Sequence, residues 1–170
     1  MAKRKRSESD DSDLLLAPEE LARKHLLKEL NKGLRSRSQL ARLLEKLEFE
    51  ESLIYELLDR YEDVGLIDDK VYARALVNTR RKLKKVSRSV IQRELTVAGI
   101  APEDSAEPLE ALDRESELEL ATELALKKLR TMNSLDSDTQ YRRVSGYLAR
   151  RGFSGGLVSA AIREARQQVN

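Results

Sequence analysis

Cysteine and tryptophan are absent from this 170-residue chain, histidine occurs once, and Phe, Trp and Tyr together make up 4% of it. Without cysteine there is no disulfide and no thiolate-bound metal. Scarce aromatics and a single histidine remove the side chains that most often line a deep ligand pocket or serve as a general base. His25 has no neighbouring partner in the sequence and reads as a boundary residue rather than a ligand or base. No GxxxxGK[ST] loop occurs, which excludes a P-loop nucleotide site. No apolar run approaches the ~18 residues that a membrane span needs. Residues 14–17 are too short for a signal-peptide core, and Asp10, Asp11 and Asp13 flank them. These absences lead to the expectation of a soluble cytoplasmic protein with no catalytic site, no metal and no cofactor, acting by binding.

Charge is what the chain has in abundance. Asp, Glu, Lys and Arg make up 36% of the residues, yet the net charge is only +2. The two signs are segregated along the chain. Residues 43–69 carry ten acids and two bases, and residues 70–93 carry nine bases and no acid. Residues 101–123 then carry nine acids and one base, and residues 124–151 seven bases and two acids. Blocks of one sign on helices form a surface that attracts phosphates or acidic protein grooves.

Residues 64–100 organise the chain. Gly65 can adopt the left-handed conformation that closes a helix, and Asp68 and Asp69 can cap the next one. A further helix starts at Ser87, with Ile91, Leu95, Ala98 and Ile100 as its apolar positions. The same spacing occurs upstream, where Leu40, Leu44, Leu47 and Phe49 follow Ser36. It occurs again downstream in Val144, Leu148, Arg151 and Phe153. A common register over three copies predicts tandem helical units.

Taken in order, residues 1–16 open with KRKR and ESDDSD and read as a disordered charged tail. The first unit is expected over residues 17–67. Its first helix begins at Pro18, with the stripe Ala22, Leu26, Leu30, and ends at Gly33. Ser36 and Gln39 have capping-box spacing, and a third helix from Glu51 turns Ile54, Leu57, Leu58 and Tyr61 inward. The second unit, 68–113, places Tyr72, Leu76 and Val77 in its core. Its third helix should be short or broken, because Pro108 lacks an N–H donor. The third unit, 114–170, is expected to use Ser116 with Glu119 as a capping box, to open its next helix at Ser137 with Gln140, and to cap the last at Ser154. The pair Gly155 and Gly156 should fray that last start.

GLIDD followed by YA, at residues 65–69 and 72–73, resembles the signature that opens the second repeat of the RecX family of recombination regulators. VSRSVIQRELTVAGI, residues 86–100, and YLARRGFS, residues 147–154, resemble two further motifs of that family. So does the stretch of residues 121–128 that holds Ala121, Leu124, Lys127 and Lys128. The four occur in family order across residues 20–165. The resemblance implies an all-α fold of three tandem three-helix repeats in an elongated curved array. It also implies a non-enzymatic regulator, active in recombination and DNA repair, that binds the RecA–DNA filament and inhibits its extension, ATPase and strand exchange. Glu48 departs from the pattern, standing where the family often has glycine.

Two basic groups are the candidate surface for RecA or DNA. One comprises Arg80, Arg81, Lys82, Lys84, Lys85, Arg88 and Arg93. The other comprises Lys127, Lys128, Arg142, Arg143, Arg150 and Arg151. Arg80, Arg81, Lys84 and Lys85 are read as lying off the apolar stripe, so that reversing them to Glu should leave the helix content nearly unchanged. Gly65, Asp68, Asp69 and Gly152 are the structural motif residues. The competing reading is a helical repeat protein acting by occupancy of single- or double-stranded DNA, which the lack of base-stacking aromatics disfavours. An elongated monomer that does not engage membranes is expected.

Overall fold

The computed structural model describes residues 16–169. The tail expected over residues 1–16 lies, apart from Leu16, outside the described residues. Among the described residues there are nine α-helices and no strand. They are α1 (Pro18–Leu30), α2 (Arg37–Lys46), α3 (Glu51–Asp63), α4 (Asp69–Thr79), α5 (Arg88–Val97), α6 (Pro102–Glu110), α7 (Arg114–Arg130), α8 (Ser137–Ala149) and α9 (Gly155–Val169). One π-helical turn, Arg80–Lys84, continues α4. The chain divides into two compact units, Met1–Tyr72 and Ala73–Asn170, with the boundary inside α4.

In the first unit, α1, α2 and α3 close on one another through their apolar stripes. Ala22 and Leu26 meet Leu40, Leu44, Ile54, Leu57 and Leu58, and Ile67 completes the cluster. The spacing of three and four residues within each helix puts these side chains on one face. His25 takes the boundary position expected of it, with its ring tilted against Phe49 at a centroid distance of 6.2 Å.

In the second unit, α7 and α9 form the most extensive helix pair, with α8 packed on both. Ala121 and Ala125 of α7 and Ala161 and Ala165 of α9 are fully buried in the shared core. Small side chains at a helix contact let the axes approach closely. Leu124, Leu129, Val144, Leu148, Phe153, Val158 and Ile162 fill the rest of that core. In the helices before α7, Ala73, Val77, Ile91, Leu95, Ala98, Ile100 and Leu109 are buried. Tyr72 and Leu76 were expected inside but are only half-buried. The helix rotates its smaller residues, Ala73 and Val77, to the core. Pro108 does sit inside α6, which is short and stops at Glu110.

The middle helices α2, α5 and α8 end alike. The amides of Phe49, Ile100 and Phe153 bond back to the carbonyls of Leu44, Leu95 and Leu148 at 3.2, 3.0 and 3.3 Å. The preceding residues, Glu48, Gly99 and Gly152, have φ of 62°, 76° and 87°. Each is a Schellman closure, with a left-handed residue and an apolar pair across the end. The common register seen in the sequence is therefore a common backbone turn. The starts differ. Ser36 and Gln39 form the expected reciprocal box, and the Ser87 hydroxyl accepts from the Val90 amide. At α8 the cap is Asp136, which accepts from Thr139 N at 2.9 Å, while Gln140 turns back to the carbonyls of Met132 and Leu135. At α7 the cap is Asp113, accepting from Ser116 N at 2.8 Å, and not Ser116. In both corrected cases a carboxylate three residues before the exposed amide outcompetes a hydroxyl further along, consistent with its stronger bond to an N–H at the positive helix end.

Candidate partner-binding surface

The candidate cations begin where α4 widens into the π turn. The sequence RRKLK has no proline or glycine to end a helix, and the turn closes instead on Lys85, whose φ is +50°. Widening leaves carbonyls without their usual partners. Here Arg151 supplies them: its Nη1 donates to the carbonyls of Lys84 and Lys85. The Arg151 guanidinium also lies 4.8 Å from the centre of the Tyr147 ring. Its own carbonyl accepts from the Ser87 amide at 2.9 Å. Arg151 is thus a clamp between the end of α8 and the π turn.

Several other candidate cations are also engaged within the second unit. Arg80 pairs with Glu94, and Lys85 with Glu123. Arg81 donates through Nη2 to the Ser116 carbonyl and, at 3.1 Å, to the Ser116 hydroxyl. Burial pushes the Arg81 guanidinium below its usual pKa, against the pull of Glu117, Asp113 and Glu119. Its Nη1 is buried with no hydrogen-bond partner among the described residues. Lys128 lies over Tyr147 at 5.9 Å from the ring centre. Arg80, Arg81 and Lys85 are therefore not the freely replaceable surface that their sequence positions suggest, and Arg151 is engaged within the protein as well. A helical pattern shows which residues avoid the core, but it does not show which of the rest meet a carboxylate or carbonyl from elsewhere in the chain.

The remaining candidates are exposed. Lys82, Lys84, Arg88, Arg93, Lys127, Arg143 and Arg150 are solvent-facing, and none of their side chains has an ion pair among the described residues. Arg142 is exposed and, among the described residues, donates to Thr139 Oγ1 at 3.3 Å. What the basic run offers a partner is this subset.

The motif residues close and cap helices within each unit. Gly65 has φ of +73°, and the Leu66 amide bonds back to the Tyr61 carbonyl at 2.9 Å, closing α3. Asp68 caps α4 by accepting from Val71 N at 2.9 Å. Asp69 reaches beyond its own helix. Its carboxylate accepts from the first amide of α2, Arg37 N, at 2.8 Å. The second unit repeats the device: Glu117, in the first turn of α7, accepts from Arg88 N, the first amide of α5, at 2.5 Å. A carboxylate at the positive end of a neighbouring helix satisfies an amide that has no partner within its own helix. Gly152 lies against the start of α5, where a Cβ would come within 2.3 Å of Val90 Cγ2 and 2.6 Å of Ser87 Oγ.

The comparisons with known proteins bear on this arrangement. A family model for the second three-helix domain of RecX matches residues 68–108, and a model for the third three-helix domain matches residues 115–162. The regulatory protein RecX of Streptomyces coelicolor is 38% identical over 151 residues, covering 89% of this chain and 80% of that protein. The chain belongs to the RecX family. The regulatory protein RecX of Thermobifida fusca is 32% identical, over 87% of this chain and 82% of its own length. The crystal structure of RecX from Lactobacillus salivarius matches with a TM-score of 0.76, covering 88% of this chain and 97% of that one; at 23% identity the likeness shows the fold. The all-α array of three-helix elements is therefore a RecX architecture, and a RecX regulatory role is the function supported by these relatives.

Proposed function

We propose that this RecX protein binds the RecA–DNA filament and restrains its extension, its ATPase and its strand exchange, acting by binding and without catalysis. The observation that supports this reading is the division of the basic run. Arg80, Arg81, Lys85 and Arg151 are engaged within the protein, and they brace a turn that holds Lys82 and Lys84 outward. With Arg88 and Arg93 these form a set of exposed cations without ion pairs among the described residues, suited to acidic side chains or phosphates. The partner under this reading sets the compartment, the cytoplasm, and the protein works as a monomer.

The test is RecA ATPase on single-stranded DNA with substoichiometric protein. Wild type should lower the turnover. Lys82→Glu, Lys84→Glu, Arg88→Glu and Arg93→Glu combined should abolish the effect with little change in melting, since exposed positions contribute little to stability. Loss of filament binding with bare-DNA binding retained supports docking on RecA. Equal loss of both supports DNA occupancy, and each lost phosphate contact should then flatten the salt dependence by about one unit of slope. An ATPase unaffected by wild type at any ratio rejects the proposal.

A further inference from the structure

The tip of the π turn carries a feature that charge does not explain. Leu83 is 76% exposed, more than any other large apolar side chain described. It stands between Lys82 and Lys84, both exposed and without ion pairs among the described residues. A leucine in water forgoes the stabilisation of burial and offers nothing to a phosphate. A stretch built only to hold a phosphate backbone would have no use for it.

The tip is also held firmly for an exposed segment. On its N-terminal side Arg80 is paired to Glu94 and Arg81 is set against Ser116. On its C-terminal side Lys85 is paired to Glu123, and Arg151 takes the carbonyls of Lys84 and Lys85. The three central side chains are therefore presented on a segment whose flanking side chains are paired on both sides and whose last two carbonyls are held by Arg151. Fastening before contact removes much of the ordering cost of binding.

We propose that Leu83 is an apolar anchor that enters a pocket rimmed by carboxylates on the protein component of the filament, with Lys82 and Lys84 pairing at the rim. The inference rests on the filament-binding reading above and deepens it by naming the contact and its chemistry. An apolar anchor between two ammonium groups matches a folded protein surface, in which a pocket and acidic side chains lie side by side. The tip contributes by desolvating Leu83 and so shielding the two flanking ion pairs from water.

The experiment compares wild type, Leu83→Ser and Leu83→Met for binding to RecA filaments on single-stranded DNA, for binding to the same DNA without RecA, and for melting. Leu83→Ser should weaken filament binding about tenfold or more, the effect of withdrawing one buried leucine side chain. Leu83→Met should retain most of the affinity, because it conserves the apolar volume. Binding to bare DNA and melting should be the same for all three. Wild-type filament binding that Leu83→Ser leaves unchanged overturns the anchor and leaves the proposed function standing. Equal loss on filament and bare DNA also overturns it, showing Leu83 to be a wedge into DNA. Failure of wild type to bind the filament at all overturns the proposed function and the anchor together.

Discussion

The ends of α2 and α8 have the same backbone and different residues. Both close with the chain turning left-handed one residue past the cap, at φ of 62° for Glu48 and 87° for Gly152. At α2 the left-handed residue is exposed, and a side chain is accommodated at a steric cost of about 1 kcal/mol. At α8 the backbone runs against the start of α5: the Ser89 hydroxyl donates to the Gly152 carbonyl at 3.1 Å, and no Cβ fits beside Val90 and Ser87. The glycine at α8 answers two demands, one of conformation and one of space, whereas α2 makes only the first. Identical turns can therefore tolerate quite different substitutions, and the difference lies in what the turn touches.

This contrast can be tested by substitution, beginning with the largest effect. Gly152→Ala should destabilise the second unit by about 3 kcal/mol, combining overpacking with a left-handed non-glycine residue. Chemical denaturation measures the loss, and hydrogen exchange should localise it to the starts of α5 and α9. A loss no larger than that of a left-handed alanine alone would show that Val90 and Ser87 yield freely. Gly65→Val isolates the conformational demand. Gly65 has φ of +73° with nothing within 4 Å of a Cβ, so the expected loss is about 2 kcal/mol, from backbone strain at a β-branched residue. Unchanged denaturation would mean that the turn rearranges at no cost. Glu48→Gly should have the smallest effect and the opposite sign, a gain of about 1 kcal/mol from relief of the left-handed penalty, reduced by the greater freedom of glycine in the unfolded chain. A loss on this substitution would show that the Glu48 side chain contributes something beyond its backbone.

The helices and their closures were legible in the sequence because they depend on neighbours close in the chain. Pro18 starts α1, Ser36 and Gln39 box α2, Asp68 caps α4, and the apolar spacing after Ser36, after Ser87 and through Val144, Leu148 and Phe153 marks three helices that end alike. The π turn was not legible. RRKLK is an ordinary helix-forming string, and the widening is stabilised by Arg151, distant in the sequence. The same limit applied to Asp69, whose carboxylate reaches an amide 32 residues upstream.

The sequence by itself determined the all-α architecture, the repeating register and the places where positive charge gathers, because periodicity, capping and composition act over a few residues at a time. Only the tertiary structure decided which of those charges remain available. Arg80 found Glu94, Lys85 found Glu123, Arg81 settled on Ser116 and Arg151 on the π turn, whereas Lys82 and Lys84 were left facing solvent. A charged side chain pairs with whatever the fold brings within a few ångströms of it, and that proximity is set by the packing of helices far apart in the chain.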